Sequence, residues 1–354
     1  MVVIQNRPSL RLPLTQANRT AGVLANHILA TEGEPPVSTT EVAHWYRNPV
    51  YDGYFADPFI LRLEDHYVAY GTGSVVDGRT FEVLTSPDLV TWTRVGGALE
   101  PIDDALGTDC WAPEVVEVDG TFWLYYSVGF DDARHHLRVA RSDSAYGPFV
   151  DAGVNLTPHE LFAIDPHAFL DVDGTWYLFY ARDVLDGERV GTQLAVDVLP
   201  TMTSMAGLSQ KVLGPTADWQ IFSRGREMYG RTYDWHTLEG PVVCRRGDRY
   251  YCIYSGGSYL GEGYSVSWAQ AKRPLGPWTE LAAEDCRLLT TIPGQVRGPG
   301  HNSVVTTFGG TDMLVYHAWD ETISKRMMCI DPLLWDDDGP HTRGPSWEPQ
   351  PLPP

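Results

Sequence analysis

The chain has few of the features that staple small secreted domains, bind nucleic acid or cross membranes. Its 354 residues include five cysteines, at 110, 244, 252, 286 and 329, with no CxxC spacing among them. An odd, scattered set argues against a disulfide framework and against zinc, and fits reduced thiols in a cytoplasm. Cations are scarce: 26 Lys and Arg stand against 46 Asp and Glu, a formal charge of −20. That balance argues against nucleic acid and anionic membrane as partners and fits a neutral substrate. No apolar run reaches the ~20 residues needed to span a bilayer. The N-terminal stretch MVVIQNRPSLRLPLTQANRT lacks a continuous apolar core and a small-residue cleavage site, so the expected location is cytoplasmic. Helical periodicity is nearly absent.

What the chain has instead is aromatic residues in a repeat. Twelve Trp and eighteen Tyr stand in a sequence that is 43% hydrophobic. Most suit strand packing, and a few are available to a carbohydrate surface. Five segments share one pattern: an acidic residue or His, a short apolar run, a turn, then an aromatic strand closing on Tyr. They run Asp57-Pro58-Phe59-Ile60 to Tyr70, Glu114-Val115-Val116 to Tyr126, and Asp165-Pro166-His167 to Tyr180. Glu239-Gly240-Pro241 to Tyr254 and His301-Asn302-Ser303 to Tyr316 complete the set. The closing tyrosines are 56, 54, 74 and 62 residues apart. Between them lie further alternating strands that lead into Gly-Pro or Ser-Pro turns, as at Gly147-Pro148-Phe149 and Gly276-Pro277-Trp278. Asp119-Gly120, Asp173-Gly174 and Gly247-Asp248 are hairpin signals at matching places.

Two inner and two outer strands per repeat make an all-β, five-bladed β-propeller of four-stranded blades, opening near residues 48, 108, 160, 234 and 295. The expected layout is an N-terminal extension over 1–44 packing on the outside, a propeller over 45–340 and a Pro-rich tail over 341–354. The stretch 191–236 is longer than its counterparts and is expected to hold an extra loop over one face.

If each inner strand opens at the axis, Asp57, Glu114, Asp165, Glu239 and His301 meet there. Singly, an Asp-Pro or Glu-Gly-Pro is a strand-entry device. Recurrence at equivalent points of a radial repeat converts them into one candidate site. Crowded carboxylates raise one another's pKa, which keeps one of them protonated near neutrality. Two carboxyls flanking a glycosidic bond are the usual apparatus for its hydrolysis.

Those residues carry a resemblance to glycoside hydrolase family 43, over roughly residues 45–340. Its elements are Ala56-Asp57-Pro58, Trp111-Ala112-Pro113-Glu114, Ile164-Asp165-Pro166, Leu238-Glu239-Gly240-Pro241 and Gly298-Pro299-Gly300-His301, in order. The resemblance implies that Asp57 is general base, Glu239 general acid and Asp165 the residue that sets the acid's pKa, with inversion at the anomeric carbon. It implies a sugar-pocket wall at Trp111, a channel position at His301 beside a cation or water, and a sugar contact at Arg326. Trp111 read alone is equally a core residue, His301 a buried hydrogen-bonded one and Arg326 a surface one. Glu114 is not among the family's catalytic carboxylates and reads as structural or as a polar neighbour. No cofactor is required, and a structural Ca²⁺ in the channel would suit an oxygen-rich axis.

The retaining fructan-processing relatives carry Trp-Met-Asn-Asp-Pro-Asn and Arg-Asp-Pro. Here the first is absent and Ile164 replaces the Arg of the second. No sandwich domain follows the propeller, unlike many β-xylosidases of the family. The expected activity is an exo-acting α-L-arabinofuranosidase on oligosaccharides, with β-xylosidase or β-galactofuranosidase as alternatives. A non-catalytic sugar-binding propeller is the reading from another class, and the presence of all three carboxylates argues against it.

Overall fold

The computed structural model describes residues 45–280 and 287–354. The extension read over 1–44 lies outside the described residues, as does Cys286. The expectation of an all-β chain holds: among the described residues the only helical element is a single 3₁₀ turn, Asp218–Gln220. Among the described residues no helix is long and apolar enough to cross a membrane.

Five antiparallel meanders follow one another. The first runs Ala56–Arg62, Tyr67–Thr72, Thr80–Ser86 and Thr93–Leu99. The second runs Asp109–Val118, Thr121–Phe130, Ala133–Ser142 and Val150–Asn155. The third runs Ala163–Leu170, Trp176–Val184, Gly191–Val198 and Gln210–Leu213. The fourth runs Arg231–Arg246, Arg249–Gly256, Ser265–Ala271 and Thr279–Glu280. The fifth runs Arg297–Thr306, Asp312–Trp319, Arg326–Asp336 and Gly339–Thr342. The third and fourth are joined by a short parallel pairing of Gly191 and Thr192 with His236 and Thr237.

The tight turns follow from their residues. Asp119 and Gly120 both take positive φ, 51° and 78°, as a two-residue hairpin with the right twist requires. The stretch 191–236 is more than a loop. It contributes a strand, Ile221–Met228, that folds back through Tyr229-Gly230 onto the start of Arg231–Arg246.

Side chains alternate faces along each second strand, and this alternation knits the meanders together. Leu124 and Tyr126 pack in an apolar cluster with Val68 and Val83 of the first meander. The intervening Tyr125 packs with Leu178 and Ala195 of the third. Phe179 and Val196 join Val243 and Cys252 of the fourth, and Ile253 and Val266 join Leu314 and Tyr316 of the fifth. Val315 and Ile330 then join Ile60 and Ala69 of the first. The five apolar interfaces therefore form a closed cycle. The opening strands repeat it, each touching the next and Arg297–Thr306 touching Ala56–Arg62.

The register corrects one part of the repeat. Tyr126, Tyr180, Tyr254 and Tyr316 stand one residue before Ser127, Ala181, Ser255 and His317, which pair with Trp111, Ile164, Glu239 and Gly300. In the first meander the residue so paired is Thr72, with Ala56. The tyrosine position there belongs to Gly71, not to Tyr70. A Cβ on Gly71 would come within 2.7 Å of the Phe55 ring, which fills the space. Tyr70 therefore faces the opposite way, since one residue of slip reverses a strand side chain.

The ends of the described chain meet on the fifth meander. Trp45–Tyr46 pairs with Gln350–Pro351. Asn48 is buried and donates to the carbonyls of Ile330 at 2.8 Å and Ser346 at 3.0 Å, while its own carbonyl accepts the Ile330 N–H at 2.9 Å. Truncating it orphans two buried backbone groups of Ile330 and the half-buried Ser346 carbonyl, and a buried group left unsatisfied costs about 1–3 kcal/mol. Asn48→Ala should therefore lower unfolding stability by about 3 kcal/mol or more in urea titration. A loss under about 0.5 kcal/mol would show that this clasp does not hold the ring.

Candidate active site

Each opening strand makes the same irregular step. The register shifts by a bulge after Ala56, Trp111, Ile164, Glu239 and Gly300. The next residues, Asp57, Ala112, Asp165, Gly240 and His301, all take left-handed φ, from 48° to 58°. Left-handed backbone is strained for most residues and least so for Gly, Asn, Asp and His. Three of the four non-glycine occupants are Asp or His, and such strain gathers at functional sites. The step turns both flanking side chains into one pocket of about 120 Å³, lined by Trp111, Ile164 and Glu239 before it and Asp57, Asp165 and His301 at it. Tyr259 and Arg326 complete the lining.

The five residues read as equivalent are therefore not in one register. Asp57, Asp165 and His301 share the strained step. Glu239 lies one residue before it, and Glu114 lies two after it. Glu239 still enters the pocket, because the step aims that neighbour inward as well. Glu114 is carried below, beside Pro58 and Ser303. There its Oε2 meets His167 Nδ1 at 2.8 Å, and His167 Nε2 accepts the Val243 N–H at 3.0 Å. Since Nε2 accepts, Nδ1 carries the proton and donates to Glu114. This relay ties the second, third and fourth opening strands, so Glu114 is structural.

Charge is distributed unevenly among the three pocket carboxylates. Burial alone would raise the Asp57 carboxyl, but His301 and Arg326 outweigh it and hold it well below the usual range. Asp57 Oδ1 lies 3.2 Å from Arg326 Nη1, 3.3 Å from His301 Nδ1 and 3.4 Å from His317 Nδ1. Glu239 is pushed up to about 7, first by burial and then by the Asp57 charge, against a lowering hydrogen bond from Tyr264. The Tyr264 hydroxyl donates to Glu239 Oε1 at 2.5 Å. Asp165 is raised by burial, by Glu239 and by Asp57. Its Oδ2 accepts the Gly240 N–H at 2.9 Å and lies 3.9 Å from His301 Nδ1. With Asp57 ionised, Asp165 and Glu239 compete for the remaining proton.

The backbone of the strained step is held by a recurring device. Its N–H donates to Thr72 at Ala112, to Ser255 at His301 and to His317 at Asp57, each acceptor standing on the preceding meander. The equivalent position before Gly240 is Ala181, which has no acceptor, and there the Asp165 carboxylate serves instead. Asp165 is therefore both a charge beside Glu239 and the anchor of the strand that carries it.

Arg326 opens the third strand of the fifth meander. Its guanidinium stacks over Tyr54, Tyr259 and Trp319, 5.8, 5.1 and 5.7 Å from the ring centres, so it is a pocket residue and not a surface one. Trp111 lines the pocket and stacks at 3.8 Å on His135. Tyr264 and His317 were not singled out from the sequence. His317 could have been: it occupies the Thr72, Ser127, Ala181 and Ser255 position, where an imidazole is out of keeping. Tyr264 lies in a glycine-rich loop with no periodic signal. Its reach to Glu239 depends on Gly300, where a Cβ would come within 2.1 Å of its ring.

Two of these side chains, Asp57 and His317, are not free to hold a channel cation. Among the described residues no group of three or more His, Cys, Asp or Glu could hold a metal. Asp57 is already engaged by a guanidinium, and His317, whose Nδ1 accepts the Asp57 N–H, carries its proton on Nε2 and offers no lone pair there. The four described cysteines are unpaired.

The sequence profile of the glycosyl hydrolases family 43 matches residues 46–340. The chain is similar to a β-D-galactofuranosidase of Aspergillus niger, 28% identical over 82% of this chain and 83% of that one. It is 27% identical to an extracellular exo-α-(1→5)-L-arabinofuranosidase of Streptomyces avermitilis, over 83% of this chain and 61% of the relative. A crystal structure of a thermostable family-43 glycoside hydrolase superposes with a TM-score of 0.77 at 32% identity, covering 87% of this chain and 99% of that one. The motifs in order, the carboxylates gathered in one pocket and these similarities agree: the chain belongs to glycoside hydrolase family 43, and it is a hydrolase of glycosidic bonds.

Proposed function

We propose that the five meanders are the blades of a five-bladed propeller and that the pocket at its axis is an inverting, exo-acting α-L-arabinofuranosidase site. The closed cycle of apolar interfaces supports the first part. The observation that carries the second is the opposed state of two buried carboxyls in one small pocket, Asp57 held ionised and Glu239 raised to about 7. An ionised carboxylate beside a protonated one is what acid–base hydrolysis of an acetal requires. In this reading Asp57 takes a proton from the attacking water while Glu239 gives one to the departing oxygen. Arg326 and His301 keep Asp57 charged, and Asp165 holds the Glu239 strand and competes for its proton. Trp111 walls the sugar, and Arg326 also reaches it. The pocket's small size favours a terminal sugar over an internal one, and the Streptomyces relative is named for that activity. The Aspergillus relative, named for β-D-galactofuranose, supports a second furanosidase reading. Hydrolysis of nitrophenyl α-L-arabinofuranoside, β-D-galactofuranoside and β-D-xyloside side by side decides among them. A preference for the xyloside would overturn the furanosidase reading.

Acid and base are separable by leaving group. General acid–base assistance is worth about 10²–10⁴-fold, so Glu239→Gln and Asp57→Asn should each lower turnover by at least that order. Glu239→Gln should recover on substrates whose leaving group needs little protonation, and Asp57→Asn should not. Parallel behaviour of the two across a leaving-group series would refute the assignment.

Two further substitutions should move the alkaline limb of kcat/KM in opposite directions. Tyr264 donates to ionised Glu239 and lowers its pKa, so Tyr264→Phe should raise that pKa and extend activity to higher pH. Asp165 and Glu239 share a proton, and each raises the other when ionised; Asp165→Asn removes that mutual raising, so activity should fall off at lower pH. Unmoved limbs in both variants, with only the rate reduced, would mean that these residues act by position alone.

A further inference from the structure

The pocket continues past the three carboxylates. A second lobe shares Trp111, Ile164, Glu239 and Tyr259 with the first but is lined by neither Asp57 nor Arg326. A general acid stands at the border between the sugar being released and its leaving group, because it protonates the oxygen that joins them. The base stands on the far side of that sugar. A lobe that touches the acid and not the base therefore lies on the leaving-group side. This argument rests on the roles given above to Glu239 and Asp57.

The outer wall of this lobe is the strand Ile221–Met228, which the long connection between the third and fourth meanders supplies. From it Arg226 reaches Asp132, 2.8 Å away in the turn between the second and third strands of the second meander. The ion pair thus bridges non-adjacent meanders across the lobe. The guanidinium lies 4.7 Å from the Phe222 ring centre and 5.6 Å from that of Trp235. Asp183 enters from the third meander, 7% exposed, and accepts the Tyr229 hydroxyl at 2.7 Å and the Thr192 hydroxyl at 2.9 Å. An aromatic wall beside a planar, five-donor guanidinium and a fixed carboxylate suits a ring with an apolar face and several hydroxyls.

We propose that this lobe is the leaving-group subsite, that it takes a second sugar residue, and that Arg226, positioned by Asp132, is the specificity-determining residue within it. Aglycones without a hydroxyl-bearing ring leave Arg226 unused.

The test compares the wild type, Arg226→Ala and Asp132→Ala on a disaccharide and on the methyl glycoside of the same terminal sugar. Arg226→Ala should lower kcat/KM for the disaccharide at least tenfold more than for the methyl glycoside, chiefly through KM. Asp132→Ala should act in the same direction and less strongly. Equal losses on both substrates would overturn the proposal and leave Arg226 a purely structural latch. If the wild type hydrolyses no glycoside of the panel, the proposed function has failed instead. The lobe is then judged by calorimetric titration of the disaccharide, whose affinity should still fall about tenfold in Arg226→Ala. An unchanged affinity would overturn the subsite.

Discussion

The site depends on one backbone constraint, the left-handed step that interrupts each opening strand. Regular strands would send successive side chains to opposite faces. The step breaks that alternation where the five strands converge, so two consecutive residues from a single strand share the pocket. Glu239 and the Gly240 N–H that fixes its strand, or Ile164 and Asp165, could not both serve the site otherwise. The strain is tolerated because a hydrogen bond to the strained N–H is supplied from a neighbouring element at Ala112, His301, Asp57 and Gly240.

The electrostatics follow from that geometry. Several buried acids in one pocket would repel if all were charged. Here the cation is given to one of them. Arg326 sits against Asp57, its charge spread over three aromatic faces that accept a guanidinium without hydrating it. Asp57 therefore stays ionised, and its charge in turn helps hold the proton that the other two share. Arg326, with His301 beside it, thus separates the carboxyls into an ionised one and a proton-sharing pair.

Much of this was legible in the sequence, and the failures have a common cause. The all-β class, the repeat and the placing of Asp57, Asp165, Glu239 and His301 could be read because turn residues and Pro mark where strands open, whereas Trp111 and Arg326 came only through the family resemblance. Register could not be read, because a bulge adds a residue without changing composition. That is why Glu114 looked equivalent to Asp57 although it belongs to the layer below, and why Tyr70 looked like a closing tyrosine although Gly71 holds that place. Tyr264 was invisible for another reason: it reaches Glu239 from a loop, and only the empty side of Gly300 lets it pass.

The cycle closes without exchanging strands. The four strands of the fifth meander all come from residues 297–342, and the joint with the first is made by an apolar interface and the Asn48 clasp. Asp57 stands on one side of that joint and its cation on the other, since Asp57 belongs to the first meander and Arg326 to the fifth. The Asp57–Arg326 ion pair is thereby wired across the last contact the chain makes in closing. A slight parting there would strip Asp57 of its counter-ion while every sheet stayed intact, so the chemistry acts as a fuse for the fold.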